Sequence, residues 1–404
     1  MKILLSVPSG AHARTLLLPL KKFFEQDAEV EQVICISPGA PYRSQLFPAY
    51  GEKFELVENP KTQTEHDSLI KRIQPNIIVT TTSGLDPNDP AILQAGKNNG
   101  IPTLAFIESW DNVWKMQRLA QNAKAFGGER QVIAGHFIVW NTMMRDHLTR
   151  IWPELASGRV SIIGAPRLDY FFQTSKIPSR QALFEKIGLP AEASAKAGPH
   201  PLIHFSTTEL YPFEYIIKTV SKAVQSGAIS RQPHFYASVH PGGNMKNHEG
   251  LKKYGAIVRY SFGRHPESPI RDFLYNPSEE ELYTLVALFK HSNLLINHSS
   301  TTAVESMLAD VPIINVKYGR PWDFWRWPKS PVCQDFQEHY DDLVNEGATA
   351  VVTSERELVQ ATQRYLEHPE LDRDARQKTL KKMITTVDGT ASEKVFQCIK
   401  EHAQ

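Results

Sequence analysis

The sequence predicts an α/β protein made of two successive Rossmann-like domains facing a cleft. Three observations carry this. Short β-rich apolar runs alternate with longer helical patterns along the whole chain, as they do when parallel strands are joined by crossover helices. The alternation runs twice, interrupted by a stretch rich in small residues, Pro and Gly between Gly188 and Pro199, which reads as a linker. Finally, 404 residues with 41% apolar content can fill two cores of ordinary size.

In the first series, strands are expected at 3–7, 32–37, 76–81, 102–107, 136–140 and 160–164. Helices fit 13–25, 63–73, 90–99 and 142–151 between them. The opening run, Ile3 to Val7, is shorter than a signal-peptide core and lacks a small-residue cleavage site. It reads as the first buried strand. The second series places strands at 201–206, 234–240, 256–260, 293–297, 312–316 and 349–352. Helices there fit 211–226, 278–291, 301–309 and 355–367, and two more stretches, 370–384 and 391–403, end the chain. The expected domains are 1–175 and 200–385, joined by 176–199. A final helical segment, 386–404, is placed to cross back to the first domain.

Charge and cysteines narrow the function classes. Lys+Arg total 45 against Asp+Glu 44, a net charge of +1. That argues against nucleic-acid binding by bulk basicity. Cys35, Cys333 and Cys398 are far apart, with neither CxxC nor Cys/His ligand spacing. A reducing compartment and no structural metal follow. No segment approaches the ~20 apolar residues of a membrane span. A cytoplasmic protein is expected, with association at the inner membrane face left open and no cofactor.

The strongest chemical signal runs from Leu294 to Val316: strand, Asn297-His298-Ser299-Ser300-Thr301-Thr302, helix, short turn, strand. Hydroxyls at a helix start can simply cap it. A run of four after a buried strand also suits a phosphate, which the free N–H groups of a helix terminus attract. Glu305 follows about one turn in, where a carboxylate can accept from a ribose diol. Ser206 and Thr207 end one neighbouring strand, and His240-Pro241-Gly242-Gly243 ends another. A histidine there can donate to a phosphate oxygen while the glycines allow close approach.

In the first half, Ser9-Gly10-Ala11-His12 follows the first strand, and Glu108-Ser109-Trp110-Asp111-Asn112 follows the strand at 102–107. Asp111, Glu108 or His12 can act as a general base. Ser9, Gly10, Trp110 and Asn112 are candidates to line a sugar-acceptor site. The plainer readings are turn formation and aromatic packing. Arg167 and Asp169 mark the end of the first half and either pair structurally or line the cleft. Lys317 to Trp327 can close over a ligand or serve domain packing. Asp372-Arg373-Asp374 spells DxD in a late helical segment with no strand before it. It reads as a solvated face, so no metal is inferred.

Together these residues resemble nucleotide-sugar glycosyltransferases of the two-Rossmann-domain type, GT-B. Ser299-Ser300-Thr301 with Glu305, and His240-Pro241, look like elements of bacterial polysialyltransferases and capsule Kdo transferases. CDP-glycerol glycerophosphotransferases carry a related Ser-Ser helix start. The acidic-acidic-Gly motif of polysialyltransferases is missing. The resemblance implies a metal-independent transferase of surface-polysaccharide synthesis. Its nucleotide would lie on Ser206, Thr207, His240, Pro241, Ser299, Ser300, Thr301 and Glu305. It implies a nucleotide-sugar donor, CMP-linked in preference to UDP-linked, and a carbohydrate or lipid-linked glycan acceptor. The alternatives are a UDP-sugar 2-epimerase of the same fold, a CDP-glycerol-type transferase, and a non-catalytic carbohydrate-binding protein.

Overall fold

The computed structural model describes the chain apart from residues 43–50, 82–88, 118–131, 191–199, 209–211 and 321–339. It divides into two compact units. One comprises Met1–Phe172, His265–Pro277 and Lys382–Gln404; the other comprises Gln173–Arg264 and Ser278–Lys381.

The first unit is built on a seven-stranded sheet. Its strands are β1 (Lys2–Ser6), β2 (Gln32–Ser37), β3 (Phe54–Glu58), β4 (Ile77–Thr80), β5 (Thr103–Phe106), β6 (His136–Val139) and β7 (Val160–Ile162). All pairs are parallel, in the order β3-β2-β1-β4-β5-β6-β7. Helices cover both faces, so the central strands are apolar throughout: Ile3, Leu4, Leu5, Ile77, Ile78 and Val79 are buried. Sequence reasoning misses β3 because it is an edge strand. Only Phe54 in it is buried, and Glu55 and Glu58 interrupt any apolar run.

The first helix begins earlier than the expected 13–25. It runs as Gly10–His12, a π-helical turn over Ala13–Leu17, and Leu18–Gln26. Single π turns are frequent at functional sites. The terminal helix, Ala391–His402, is also part of this unit. Phe396 stacks on Phe23 at 5.8 Å and meets Phe24 edge-on at 5.6 Å. Buried Asp169 accepts the N–H groups of Ala391 and Ser392, at 3.3 and 2.6 Å. Burial pushes its carboxyl pKa up, against those hydrogen bonds. Asp169 therefore has the structural role. Arg167 lies over the Trp140 ring at 5.2 Å.

The second unit carries a six-stranded parallel sheet, β10-β9-β8-β11-β12-β13. Its strands are β8 (Leu202–Ser206), β9 (His234–Val239), β10 (Ala256–Tyr260), β11 (Leu294–Asn297), β12 (Ile313–Val316) and β13 (Ala350–Val352). The stretch read as linker, 176–199, contains the helix Arg180–Ile187. Ser179 caps it, and Leu183, Phe184 and Ile187 pack with Leu202, Tyr236, Ala287 and Leu288. Flanking Pro178 and Gly188 conceal this short helix in the sequence. Residues 191–199 of this stretch lie outside the described residues.

Both sheets reverse strand order next to their first strand, between β1 and β4 and between β8 and β11. Ligands of open parallel sheets bind outside the carboxyl ends of strands at such a switch point. Among the described residues, no helix is long and apolar enough to cross a membrane.

Candidate functional site

The switch point of the second sheet gathers three strand ends. After β8, Thr207 donates its N–H to Ser238 O on β9 at 3.0 Å. Its hydroxyl accepts the N–H of His240 at 3.2 Å. His240 Nδ1 accepts from Gly242 N–H at 3.1 Å, which assigns the ring proton to Nε2. His240 is exposed. Pro241 and Gly243 shape the turn, with Gly243 N–H donating to His240 O at 2.8 Å. Ser206 and Thr207 are buried at the strand end.

After β11, the Ser-Ser-Thr-Thr turn leads into the helix Thr302–Leu308. Its N-cap, Thr301, makes no side-chain capping bond, whereas Thr62, Asn141, Ser179, Ser278 and Ser354 all cap theirs. Ser300 Oγ accepts from Thr302 N–H at 3.3 Å. Ser299, Ser300 and Thr301 stay partly accessible, while Glu305 is buried at 2% exposure.

This turn is fastened from the sheet side. Buried Asn315 on β12 directs its amide nitrogen at Asn297 Oδ1, His298 O and the Tyr340 hydroxyl, at 2.6, 2.7 and 2.9 Å. Tyr340 OH donates to Ser300 O at 3.3 Å. Asn297 Nδ2 donates to Thr302 Oγ1 at 3.1 Å. His298 is fully buried, and burial lowers its pKa from 6.5 to about 3, so its ring is neutral. Tyr215 OH donates to Tyr318 O at 2.6 Å and so accepts from His298 Nε2 at 2.9 Å. Sequence reasoning overlooked His298, Asn297 and Asn315 as parts of this device. Polar residues in otherwise apolar strands, Asn297 and Asn315, were the available signal. Tyr215 also lines a groove carrying Lys218, Lys222, Arg320 and Arg356. Residues 321–327 of the expected closing loop lie outside the described residues.

In the first unit, the turn after β1 and the end of β5 meet. Ser9, the N-cap of Gly10–His12, makes no capping bond. Its hydroxyl lies 2.6 Å from His12 Nδ1 instead. His12 Nε2 faces Glu108 Oε1 at 3.8 Å, with both side chains mostly shielded. Thr15, within the π turn, donates to Glu108 Oε2 at 3.4 Å. Ser9, His12 and Glu108 thus form one connected group.

Four other expected residues are placed differently. Asp111 pairs with Lys115 at 2.6 Å and accepts from the Ser109 hydroxyl. Trp110 is 1% exposed and packs on Trp140, with ring centroids 6.4 Å apart. Its wide apolar ring is better buried than solvated, so it offers no wall to a sugar. Asn112 is buried in the turn and accepts from Lys115 at 3.2 Å. Gly10 is buried, and a Cβ there would stand 1.7 Å from Tyr275 O. Its missing side chain admits a neighbouring backbone rather than a ligand. Arg373 and Asp374 of the DxD are exposed, and Asp372 accepts from Tyr365 OH at 2.6 Å. Where no Cys/His ligand spacing was expected, the fold brings His136, Cys398 and His402 together, with one ligand atom of each within 4.8 Å of the others. Cys398 and His402 are four apart on one helix, a spacing readable in the sequence; His136 comes from a distant strand.

No protein-family model and no curated protein sequence matches the chain. Solved structures do match it. The UDP-GlcNAc 2-epimerase from Neisseria meningitidis, bound to UDP-GlcNAc, is 11% identical over 99% of this chain and 100% of its own, with a TM-score of 0.66. S. aureus MnaA in complex with UDP is 14% identical over 99% and 96%, with a TM-score of 0.63. The wall teichoic acid polymerase TagF is 10% identical over 100% and 88%, with a TM-score of 0.62. These likenesses, with the two parallel sheets, give the fold: α/β, GT-B type, two Rossmann-like domains. The structural neighbours are enzymes, and their named ligands are nucleotides or nucleotide sugars.

Proposed function

We propose that the chain is an enzyme acting on a nucleotide-activated sugar. The carrying observation is the convergence of Ser206, Thr207, His240 and Ser299 to Thr301 on adjacent strand ends at the β8/β11 switch point. In this reading, main-chain N–H groups, hydroxyls and the Nε2–H of His240 hold the phosphates. The turn is rigidly fastened by Asn315 and Tyr340, so it is set before the ligand arrives. Glu305 and Pro241 complete the nucleotide site. In the first unit, His12 is the candidate base for the proton of an acceptor hydroxyl. Glu108 stabilises the resulting imidazolium, and Ser9 orients the ring. Such a base contributes about 10²–10⁴ in rate. The reaction is then metal-independent glycosyl transfer to a carbohydrate or lipid-linked glycan, in surface polysaccharide synthesis.

A second reading, 2-epimerisation of a UDP-sugar, has the stronger support among the comparisons. The likeness to 2-epimerases extends over essentially the whole chain. That reaction removes and returns the C2 proton and needs no acceptor. Incubation in D₂O with UDP-GlcNAc and with CMP- and CDP-linked donors separates the readings. Deuterium at sugar C2 without acceptor identifies an epimerase. Donor consumption that depends on a glycan acceptor identifies a transferase. Nucleotide binding with neither outcome defeats both.

A further inference from the structure

We propose that His136, Cys398 and His402 form a binding site for a Zn²⁺-class transition metal that clamps the terminal helix to the first sheet. His136 opens β6, and Cys398 and His402 sit one turn apart on the helix Ala391–His402, so both face the same way. One ring nitrogen of each histidine and the Cys398 sulfur all lie within 4.8 Å of one another. The two imidazole centroids are 4.0 Å apart. Cys398 Sγ is 3.8 Å from His402 Nδ1. Tetrahedral zinc, with bonds of about 2.3 Å to sulfur and 2.0–2.1 Å to nitrogen, separates its ligand atoms by roughly 3.6 Å. A small inward movement of side chains therefore closes the site.

The surroundings fit. His402 Nδ1, the ring nitrogen 3.8 Å from that sulfur, also lies 2.8 Å from Cys398 O, a hydrogen bond that the metal would replace. Ser161 on β7 places its hydroxyl 2.9 Å from His136 Nε2 and 3.9 Å from Cys398 Sγ. His136 and Cys398 are buried, and His402 is half-buried, which gives an entry side. One sulfur and two imidazoles select zinc, cobalt or copper over calcium or magnesium. Binding replaces the thiol proton of Cys398, which leaves to solvent, and water completes a fourth position. The inference is independent of the proposed function, because it uses none of the residues of that site.

Chelator-treated full-length protein titrated with Co²⁺ tests it. The expected result is one equivalent bound with a thiolate-to-cobalt charge-transfer band, displaced by Zn²⁺. Zn²⁺ should also raise the Tm of the wild type. Cys398→Ser should lose the band. His402→Gln, at the half-buried edge, should weaken Co²⁺ binding at least about tenfold. This second variant decides the question if Cys398→Ser fails to fold. Absence of the band in the wild type, its survival in Cys398→Ser, or unchanged affinity in His402→Gln overturns the proposal.

Discussion

His12 stands between Ser9 and Glu108, with Nδ1 2.6 Å from the serine hydroxyl and Nε2 3.8 Å from the carboxylate. The arrangement follows from local chain geometry. The π turn puts Thr15 beside the same carboxylate, and β5 delivers Glu108 one strand from the switch point. His12→Ala and Glu108→Gln should each lower turnover by about 10²–10⁴ with nucleotide affinity nearly unchanged. Asp111→Asn, which disturbs the Lys115 pair and the Ser109 hydrogen bond, should cost far less. Steady-state kinetics beside calorimetric nucleotide titration checks this. A larger loss in Asp111→Asn would move the base to that residue.

Nucleotide binding should depend on the second unit alone. His240→Ala and Ser300→Ala each remove a donor from a charged phosphate, a loss of about 1.5–3 kcal/mol or roughly 10- to 150-fold in Kd. Titration with CMP, CDP and UDP measures it and ranks the bases. Unchanged affinity in both variants rejects the site.

Asn315 touches no ligand in this scheme, yet it holds three acceptors with one amide nitrogen. Asn315→Leu would leave buried acceptors unpaired, at about 1–3 kcal/mol of stability. It should weaken nucleotide binding as well, because the turn from His298 to Ser300 loses its fastening. Denaturant unfolding and nucleotide titration of the same variant report the two effects.

Stability should fall in mild acid. His204 and His298 are buried, and burial lowers both pKa values from 6.5 to about 3. Between those values the unfolded chain is protonated at both positions and the folded chain is not. Folding stability is therefore full above pH 6.5 and lost as pH falls towards 3, by about 1.4 kcal/mol per pH unit for each histidine. Urea unfolding at several pH values checks the slope. His204→Gln should reduce it by the share of one proton.

Asp169 tests the other unit. Asp169→Ala removes the acceptor for two buried N–H groups at the start of the terminal helix. The expected cost is about 1–2 kcal/mol, read as a lower Tm.

The sequence was most informative where periodicity and burial agree. Buried parallel strands such as β1 and β8 are continuous apolar runs, and their ends located the turns at Ser9, Ser206 and Ser299. It was least informative where a residue's partner is remote. Nothing beside Gly10 announces Tyr275, and nothing beside Trp110 announces Trp140. Tertiary packing claimed both, along with Asn112. Glu108 and His12 were separate candidates until the fold joined them. The edge strand β3 and the helix Arg180–Ile187 escaped because neither has a long apolar signature.

The first unit is assembled from three separated stretches of chain, ending with Lys382–Gln404. During synthesis, its first 172 residues emerge before the helix that Asp169 receives and before the segment that fills the space beside Gly10. Until then Phe23, Phe24 and the buried Asp169 lack their contacts with the terminal helix. The second unit can complete its sheet earlier, since β13 ends at Val352. The half made first is therefore the half finished last. Truncation near the carboxyl terminus should act as a lesion of the amino-terminal fold.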